Sequence, residues 1–337
     1  MKKVAIIILN WNGAALLRRY LPTVLEANND AIADVIVADN GSTDDSVEVV
    51  RQEFAGVKLL QLDKNYGFAE GYNRAIAATR YPYTVLLNSD VRVTPGWLEA
   101  MLEYAESHPD LGAMQPKILH DGEPDGRDRF EYAGAAGGFI DCHGFPYCRG
   151  RILDSIEDDN GQYDAEGETE VFWASGAALF VRSDVYEQVG GLDKDFFAHM
   201  EEIDLCWRIH QAGYKVMMTP RSRVYHLGGG TLPVGSPKKL YLNFRNNLLL
   251  LYKNLPEGWG RTWLLFVRRL VYDTSALAMF LVKGEFGNAK AVLAAHRDFR
   301  RMSKLYTKFP EKSIFSELPG TKCNLIVDYY LKGRRKY

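Results

Sequence analysis

The chain has 337 residues, 47% hydrophobic and 25% charged. That composition fits a folded globular protein rather than a disordered chain, with room for one large domain or two smaller ones. The formal net charge of -2 conceals an asymmetry: residues 1–220 carry 19 Lys/Arg against 36 Asp/Glu, and residues 221–337 carry 22 against 7. An acidic front half suits a metal-using body, and a basic back half suits a segment that meets an anion. Nucleic acid is disfavoured as that anion, because no helix-turn-helix, zinc-finger or aromatic RNP pattern accompanies the basic residues. An anionic membrane surface fits better. Cys142, Cys148, Cys206 and Cys323 form no paired framework, and free thiols fit a reducing cytosol. Cys142-His143 with Cys148 lacks the second close ligand pair that a zinc site needs.

The elements follow in chain order. Val4–Leu9 is a continuous apolar run, read as a buried parallel strand and not as a signal peptide. That reading places the catalytic body in the cytoplasm. Ala14–Ala27 reads as a helix, Asp34–Ala38 as a strand, and Asp44–Phe54 as a helix with acids in its first turn. Val57–Leu62 is a third strand, Gly67–Ala78 a helix opened by a Gly-rich turn, and Thr84–Leu87 a fourth strand. Pro95–Ser107 is a helix with Thr94 as its expected N-cap. Asp110–Pro116 adds a strand. The alternation argues for an α/β sheet.

Residues 120–170 break the rhythm and read as an insertion that either shapes the acceptor side of a pocket or is a solvated excursion. Phe172–Val181 resumes strand character, Asp184–Val189 and Glu201–Gln211 are helices, and Tyr214–Met218 is a strand. Val224-Tyr225-His226 then runs into glycines. From Lys239 the pattern is helical to about Ala295, with Tyr241–Leu251 and Thr262–Val282 as main segments. The longest charge-free stretch, Thr274–Val282, is far short of the roughly 20 residues a span requires. Trp259, Trp263, Phe266 and Phe280 mixed with Arg261, Arg268, Arg269 and Lys283 fit an interfacial helix or one packed on the catalytic body. The expected division is 1–235 for a nucleotide-binding catalytic domain and 236–337 for a basic helical region.

Polar residues cluster where strands end. Asp39-Asn40-Gly41-Ser42-Thr43-Asp44 follows one strand and Asn88-Ser89-Asp90 follows another. In open parallel sheets, ligands bind outside the carboxyl ends of strands. Asp39 can accept hydrogen bonds from a base edge or a ribose, although an Asx-turn has the same signature. Asp90 can hold a hard divalent cation, and His226 a borderline one such as manganese. Glu201, Glu202 and Asp204 gather at a helix start. The apolar Phe196-Phe197 wall before them favours a raised pKa and a general base.

These segments together resemble glycosyltransferase family 2, in its rhamnosyltransferase-like branch. The matching pieces are Asn10-Trp11-Asn12-Gly13, Val37 to Asp44, Asn65 to Asn73, Leu86 to Asp90, Ala174 to Ala177, Gly191 to Phe197, Glu201 to Arg208, and His226 to Gly230. The resemblance implies a GT-A fold: a Rossmann-like mixed central sheet flanked by helices, here with a helical C-terminal extension. It implies an inverting, metal-dependent transferase using Mn2+ or Mg2+ and a dTDP- or UDP-sugar. It implies donor contacts from Asn10, Asn12, Asp39, Asn40, Asn65, Gly67, Asn73, Asn88, Ser89 and Asp90, with Asp90 and His226 on the metal. Glu202 matches the position of the base, which is commonly Asp in a Glu-Asp pair, so Glu201 and Asp204 stay open. Arg245-Asn246 resembles a family element of uncertain role. The implied donor is dTDP-rhamnose, with galactofuranose or glucose donors as competitors. A glycan or polyprenyl-linked acceptor and a peripheral place on the inner face of the plasma membrane follow. A non-catalytic nucleotide- or carbohydrate-binding protein is the alternative, and oligomerisation stays open.

Overall fold

The computed structural model describes residues 2–122, 126–228 and 235–337. The last two glycines of the run after His226 lie outside the described residues. Strand β1 (Val4–Asn10) is central and almost wholly buried. Val4, Ile6 and Ile8 enter one core with Val35, Val37, Val85 and Leu87, while Ala5 and Ile7 enter the other with Ile36, Ala38 and Leu86. Two covered faces explain why this strand reads as an unbroken apolar run.

The front half continues as α1 (Ala14–Ala27), β2 (Ala33–Asp39), α2 (Ser46–Glu53), β3 (Lys58–Gln61), α3 (Gly67–Ala77), β4 (Tyr83–Asn88), β5 (Val91–Val93), α4 (Trp97–Ser107) and β6 (Leu111–His120). The insertion holds β7 (Gly138–Ile140), β8 (Pro146–Cys148), β9 (Arg151–Ile152) and β10 (Ser155–Ile156), which form a small antiparallel sheet. After it come β11 (Thr169–Glu170), β12 (Ala178–Arg182), α5 (Ser183–Gln188), α6 (Glu201–Gln211) and β13 (Lys215–His226). The main sheet runs β3-β2-β1-β4-β12-β6-β13-β11, with β5 added on β13. β1, β2, β3 and β4 are parallel, β12 is antiparallel to β4 and β6, and β13 is parallel to β6. This is the mixed, helix-flanked sheet that the sequence predicts.

The helical extension comprises α7 (Pro237–Asn254), α8 (Trp259–Val267), α9 (Thr274–Val282), α10 (Phe286–Met302) and α11 (Leu325–Tyr330). Its first helix is not peripheral. Leu248, Leu249, Leu250 and Leu251 of α7 are fully buried in the core that also holds Leu205, Trp207 and Phe172. The end of the chain returns to the insertion: Cys142 N donates to Cys323 O at 3.0 Å, and Leu325 N to Asp141 Oδ2 at 2.9 Å.

Local expectations fail where tertiary contacts take over. Thr94 does not cap α4; its hydroxyl donates to Arg223 O at 2.7 Å, and the helix opens after Gly96 in a left-handed conformation. Residues 172–177 are irregular, and only Ala178–Arg182 pairs as strand. Tyr214–Met218 and Val224–His226 are parts of one strand, joined across an irregularity between Thr219 and Arg223. Lys117 has no exposed side-chain surface; its Nζ lies 2.9 Å from Asp159 Oδ2, and it also pairs with Asp164. The pair ties the insertion to β6. Lys117→Met leaves Asp159 buried beside no cation, so urea unfolding should show a loss of about 3–5 kcal/mol.

Candidate active site

The register of the parallel strands brings their polar ends together. Asn10 stands opposite Asp39, and Leu9 opposite Asn88. Asn10 Nδ2 donates to Asp39 Oδ1 and to Ser42 Oγ, both at 3.2 Å, and Ser42 N donates to Asp39 Oδ2 at 3.0 Å. Asn10 Oδ1 is buried without a partner. Asn12 accepts from Thr43 N at 2.7 Å. Asp44 caps the start of α1 by accepting from Ala14 N at 3.1 Å; hydrogen bonds to Ser46 and Ala14 hold its carboxyl low against the opposing effect of burial. Together these residues make one rim around the ends of β1 and β2.

A second rim segment begins at α3. Asn40 Nδ2 donates to Asn65 Oδ1 at 3.1 Å and to Gly67 O at 3.0 Å, and its Oδ1 accepts from Tyr66 N at 3.0 Å. Asn40 thus braces the 65–67 turn from below. Gly67 has φ +78, and a Cβ there would meet the Phe197 ring at 2.8 Å, so only glycine fits. Asn73 stands apart from the rim. Its amide is used by Leu192 O, Leu192 N and Tyr186 OH, which ties α3 to the 191–193 turn.

The third group forms where β5 pairs with β13. His226 lies opposite Val91, and its Nε2 is 3.1 Å from Asp90 Oδ1. Asn88 Nδ2 is 3.4 Å from the same nitrogen. The insertion adds Glu131, whose Oε1 is 3.6 Å from His226 Nδ1, a buried nitrogen with no hydrogen-bond partner. Burial opposes a charge on His226, but Asp90 and Glu131 outweigh it and push its pKa up to about 10. Burial would likewise raise Asp90 and Glu131, yet His226 holds both carboxyls low. Asp90 and Glu131 flank different nitrogens of the imidazole, so the three groups do not converge on one point; Asp90 with His226 Nε2 is the pair whose chemistry suits a hard or borderline divalent cation. Beside them Arg151 is 7% exposed, stacks on Tyr132 at 3.8 Å and forms no ion pair among the described residues. Lys239 lies 5.8 Å from the same ring.

The carboxylates of α6 divide by environment. Asp204 is fully buried and bonds Arg208, Lys253 and Asn254 at 2.7–2.8 Å. Burial would raise it, but Arg208 and Lys253 bring its pKa down to about 2. Glu201 and Glu202 each keep one buried oxygen without a partner. Burial pushes Glu202 up to about 7; burial and the neighbouring Glu202 charge raise Glu201 well above the usual range. The turn before them is strained, because Phe197, His199 and Met200 all have φ between 67 and 71. Asn246 holds it in place by donating to Phe196 O, Ala198 O and His199 O at 2.7–3.0 Å, and Arg245 donates to Phe196 O at 2.8 Å. Residues 175–177 link the two chemical groups: a Cβ on Gly176 would lie 3.7 Å from Glu202 Cβ, and Asn88 N donates to Ala177 O at 2.9 Å.

The family model described as glycosyl transferase family 2 matches residues 5–154, which include the strand-end rim and Asp90. A relative from Mycobacterium tuberculosis, N-acetylglucosaminyl-diphospho-decaprenol L-rhamnosyltransferase, is 30% identical over 228 residues, covering 62% of this chain and 71% of that one. This chain belongs to glycosyltransferase family 2. Solved structures agree in fold at 14–15% identity. A mannosyltransferase from Pyrobaculum calidifontis, solved with GDP-Man and Mn2+, has a TM-score of 0.53 and covers 90% of this chain and 84% of its own. S. aureus TarS 1-349 with UDP-GlcNAc has a TM-score of 0.57, covering 89% and 81%.

Sequence reasoning about this family 2 transferase missed Glu131, Arg151 and Lys239. Glu131 lies in an insertion with no periodic signal, and nothing local links it to His226. Among the described residues, Asp141, Cys142 and His143 are the group of three whose ligand atoms all lie within 4.8 Å of one another. Asp141 there already accepts from the backbone of His143, Phe145 and Leu325, which describes a closed turn. A cavity of about 690 Å³ lined by Lys2, Asp34, Lys58 and Tyr81 lies at the amino ends of the strands, away from the rim. Asn246→Ala should release the strained turn and lower kcat of the transferase by about 10²-fold while donor Kd changes little, since misplacing a reacting group by ~1 Å has that effect. Single-turnover kinetics with a donor titration separates the two.

Proposed function

We propose that this transferase moves rhamnose from dTDP-rhamnose to a hydroxyl of a lipid-linked glycan acceptor by a single inverting displacement, with Glu202 as the base. One observation carries the reading. A half-buried carboxylate, with one buried oxygen that has no partner among the described residues and its pKa pushed up to about 7, stands across residues 175–177 from the Asp90, Glu131 and His226 cluster. Asp204 is engaged by two cations and an amide, and Glu201 is buried more deeply, so neither competes as base.

The rim of Asn10, Asn12, Asp39, Asn65, Gly67 and Ser89 receives the nucleotide, with Asp39 turned to base or ribose. Asn40 and Asn73 act one step back, by holding the turn and the helix that shape the pocket. Asp90 and the Nε2 of His226, which face each other, would hold Mn2+ or Mg2+, and Glu131 beside the other ring nitrogen would orient the imidazole. When bound there, the cation offsets charge on the departing nucleoside diphosphate. Arg151 and Lys239 add positive charge on the same side. Glu202 takes the proton of the acceptor hydroxyl as its oxygen bonds to the anomeric carbon. The bond from that carbon to the diphosphate breaks, and the electron pair leaves with the nucleotide. Glycoside hydrolases typically use a pair of carboxylates, whereas this displacement needs one.

The rhamnose and the lipid diphosphate acceptor rest on the name of the mycobacterial relative, and other donors such as UDP-galactofuranose or a glucose nucleotide remain its competitors. A non-catalytic binding role is disfavoured by the unpartnered carboxylate, which a binding module has no reason to bury. A panel of nucleotide sugars, tested by thermal shift and turnover with and without manganese, identifies the donor.

Glu202→Gln should keep donor binding and lower turnover by about 10²–10⁴-fold. Near-normal turnover in that variant sinks the base assignment. Because the base must be ionised, kcat should climb about tenfold per pH unit below pH ~7 and level off above it. Asp90→Ala should abolish manganese-dependent strengthening of donor binding in calorimetry.

A further inference from the structure

The helix formed by α8, the π-helical residues Arg268–Asp273 and α9 is inside out. It runs without a break from Trp259 to Val282, about 36 Å at 1.5 Å per residue. In a helix packed on a water-soluble body, the apolar stripe faces the core and the charges face water. Here the charges face the protein. Arg268 is 4% exposed, donates to Asn247 Oδ1 at 2.6 Å and stacks on Phe145. Asp273 is 2% exposed and accepts from His296 at 2.9 Å. Arg261 turns back over Tyr252 and Phe309.

The outward face is apolar. Trp259, Trp263 and Phe266 form an exposed ladder with ring centroids 6.1 and 5.8 Å apart. Leu270, Val271, Met279, Leu281 and Val282 continue the exposure, and Val282 is 89% exposed. Phe286 extends it into α10, whose exposed positions include Lys290, Arg297, Arg300 and Arg301. Between residues 258 and 310 there are three acids, and Asp273 and Asp298 are buried, which leaves Glu285 alone exposed.

We propose that this face docks on an anionic lipid bilayer, with the helix lying in the plane of the interface and its indole rings at headgroup level. Aromatic rings with a polar edge favour that depth. The cationic face of α10 complements anionic headgroups. Among the described residues no helix is long and apolar enough to cross a membrane, so the contact is parallel to the surface. Insertion of the apolar face makes binding mostly resistant to salt, whereas attraction between surface charges alone is screened. The inference is independent of the sugar chemistry.

The test uses the full chain and vesicles of phosphatidylethanolamine with phosphatidylglycerol, read by cosedimentation and by the blue shift of tryptophan fluorescence. The protein should bind at low and at high salt. The combined variant Trp259→Ser, Trp263→Ser, Phe266→Ser should lose binding by about tenfold or more. It should keep the thermal midpoint and the turnover of a soluble acceptor, since these side chains are exposed. Arg297→Gln with Arg300→Gln and Arg301→Gln should reduce the preference for phosphatidylglycerol over phosphatidylcholine while leaving partition intact. Wild-type protein that stays in solution with these vesicles overturns the proposal. So does a dimer, seen by sedimentation equilibrium, that the aromatic variant dissociates without any vesicle binding in either protein.

Discussion

The pairing of β5 with β13 is the constraint on which the site depends. Three residues of β5 bond to the end of β13, and this register sets His226 opposite Val91. Asp90 precedes that position, and Leu227 N donates to Asp90 O at 3.1 Å. A carboxylate and an imidazole 136 residues apart are therefore held in contact by backbone hydrogen bonds, not by their own attraction. Burial then determines their chemistry. With water excluded, the two carboxylates beside His226 act on it strongly enough to keep it charged. A cation held by Asp90 and His226 Nε2 would have to displace that proton, since only the neutral imidazole is a ligand.

The carboxylates of α6 depend on a different device. Glu202 and Asp204 lie two residues apart on one helix, yet their pKa values move in opposite directions. Asp204 is buried and Glu202 half-buried, and desolvation alone would raise both. Arg208, Lys253 and Asn254 reverse the effect at Asp204 and leave Glu202 without a counter-charge. Two of these three groups come from α7, and so do Arg245 and Asn246, which hold the left-handed turn ahead of Glu202. The C-terminal extension thus sets the surroundings of Glu202 and Asp204, through a helix whose leucines are part of the main core.

Much of the fold was legible in the residues. The apolar runs at β1, β2 and β4, each ending in an amide or acid, located the carboxyl ends of the strands within a residue or two. The helices with clean periodicity, α1 and α6, began and ended where expected. Legibility failed where a distant element supplied the hydrogen bond. Thr94 has the chemistry of a cap, but Arg223 O takes its hydroxyl. β13 read as two strands, because Pro220 and its neighbours break the pattern although pairing with β6 resumes beyond them. The π-helical segment carries no sequence signal that separates it from the α-helix on either side.

From its residues alone, the chain determined an α/β sheet, a polar rim at the strand ends, and the segments by which it resembles its family; the mixed character of the sheet was implied by that resemblance, and the antiparallel place of β12 was seen in the structure. These follow from local properties: strand periodicity, turn chemistry and the order of motifs along the chain. Only tertiary structure decided that Glu131 joins His226, that Asp204 is a structural anion while Glu202 is left free, and that the helix from Trp259 to Val282 buries its charges and exposes its rings. Each of these is a question of which surface faces which. A helical pattern of apolar and charged residues defines two faces but does not say which one meets the protein, and a carboxylate's pKa is set by neighbours that the chain brings from far away.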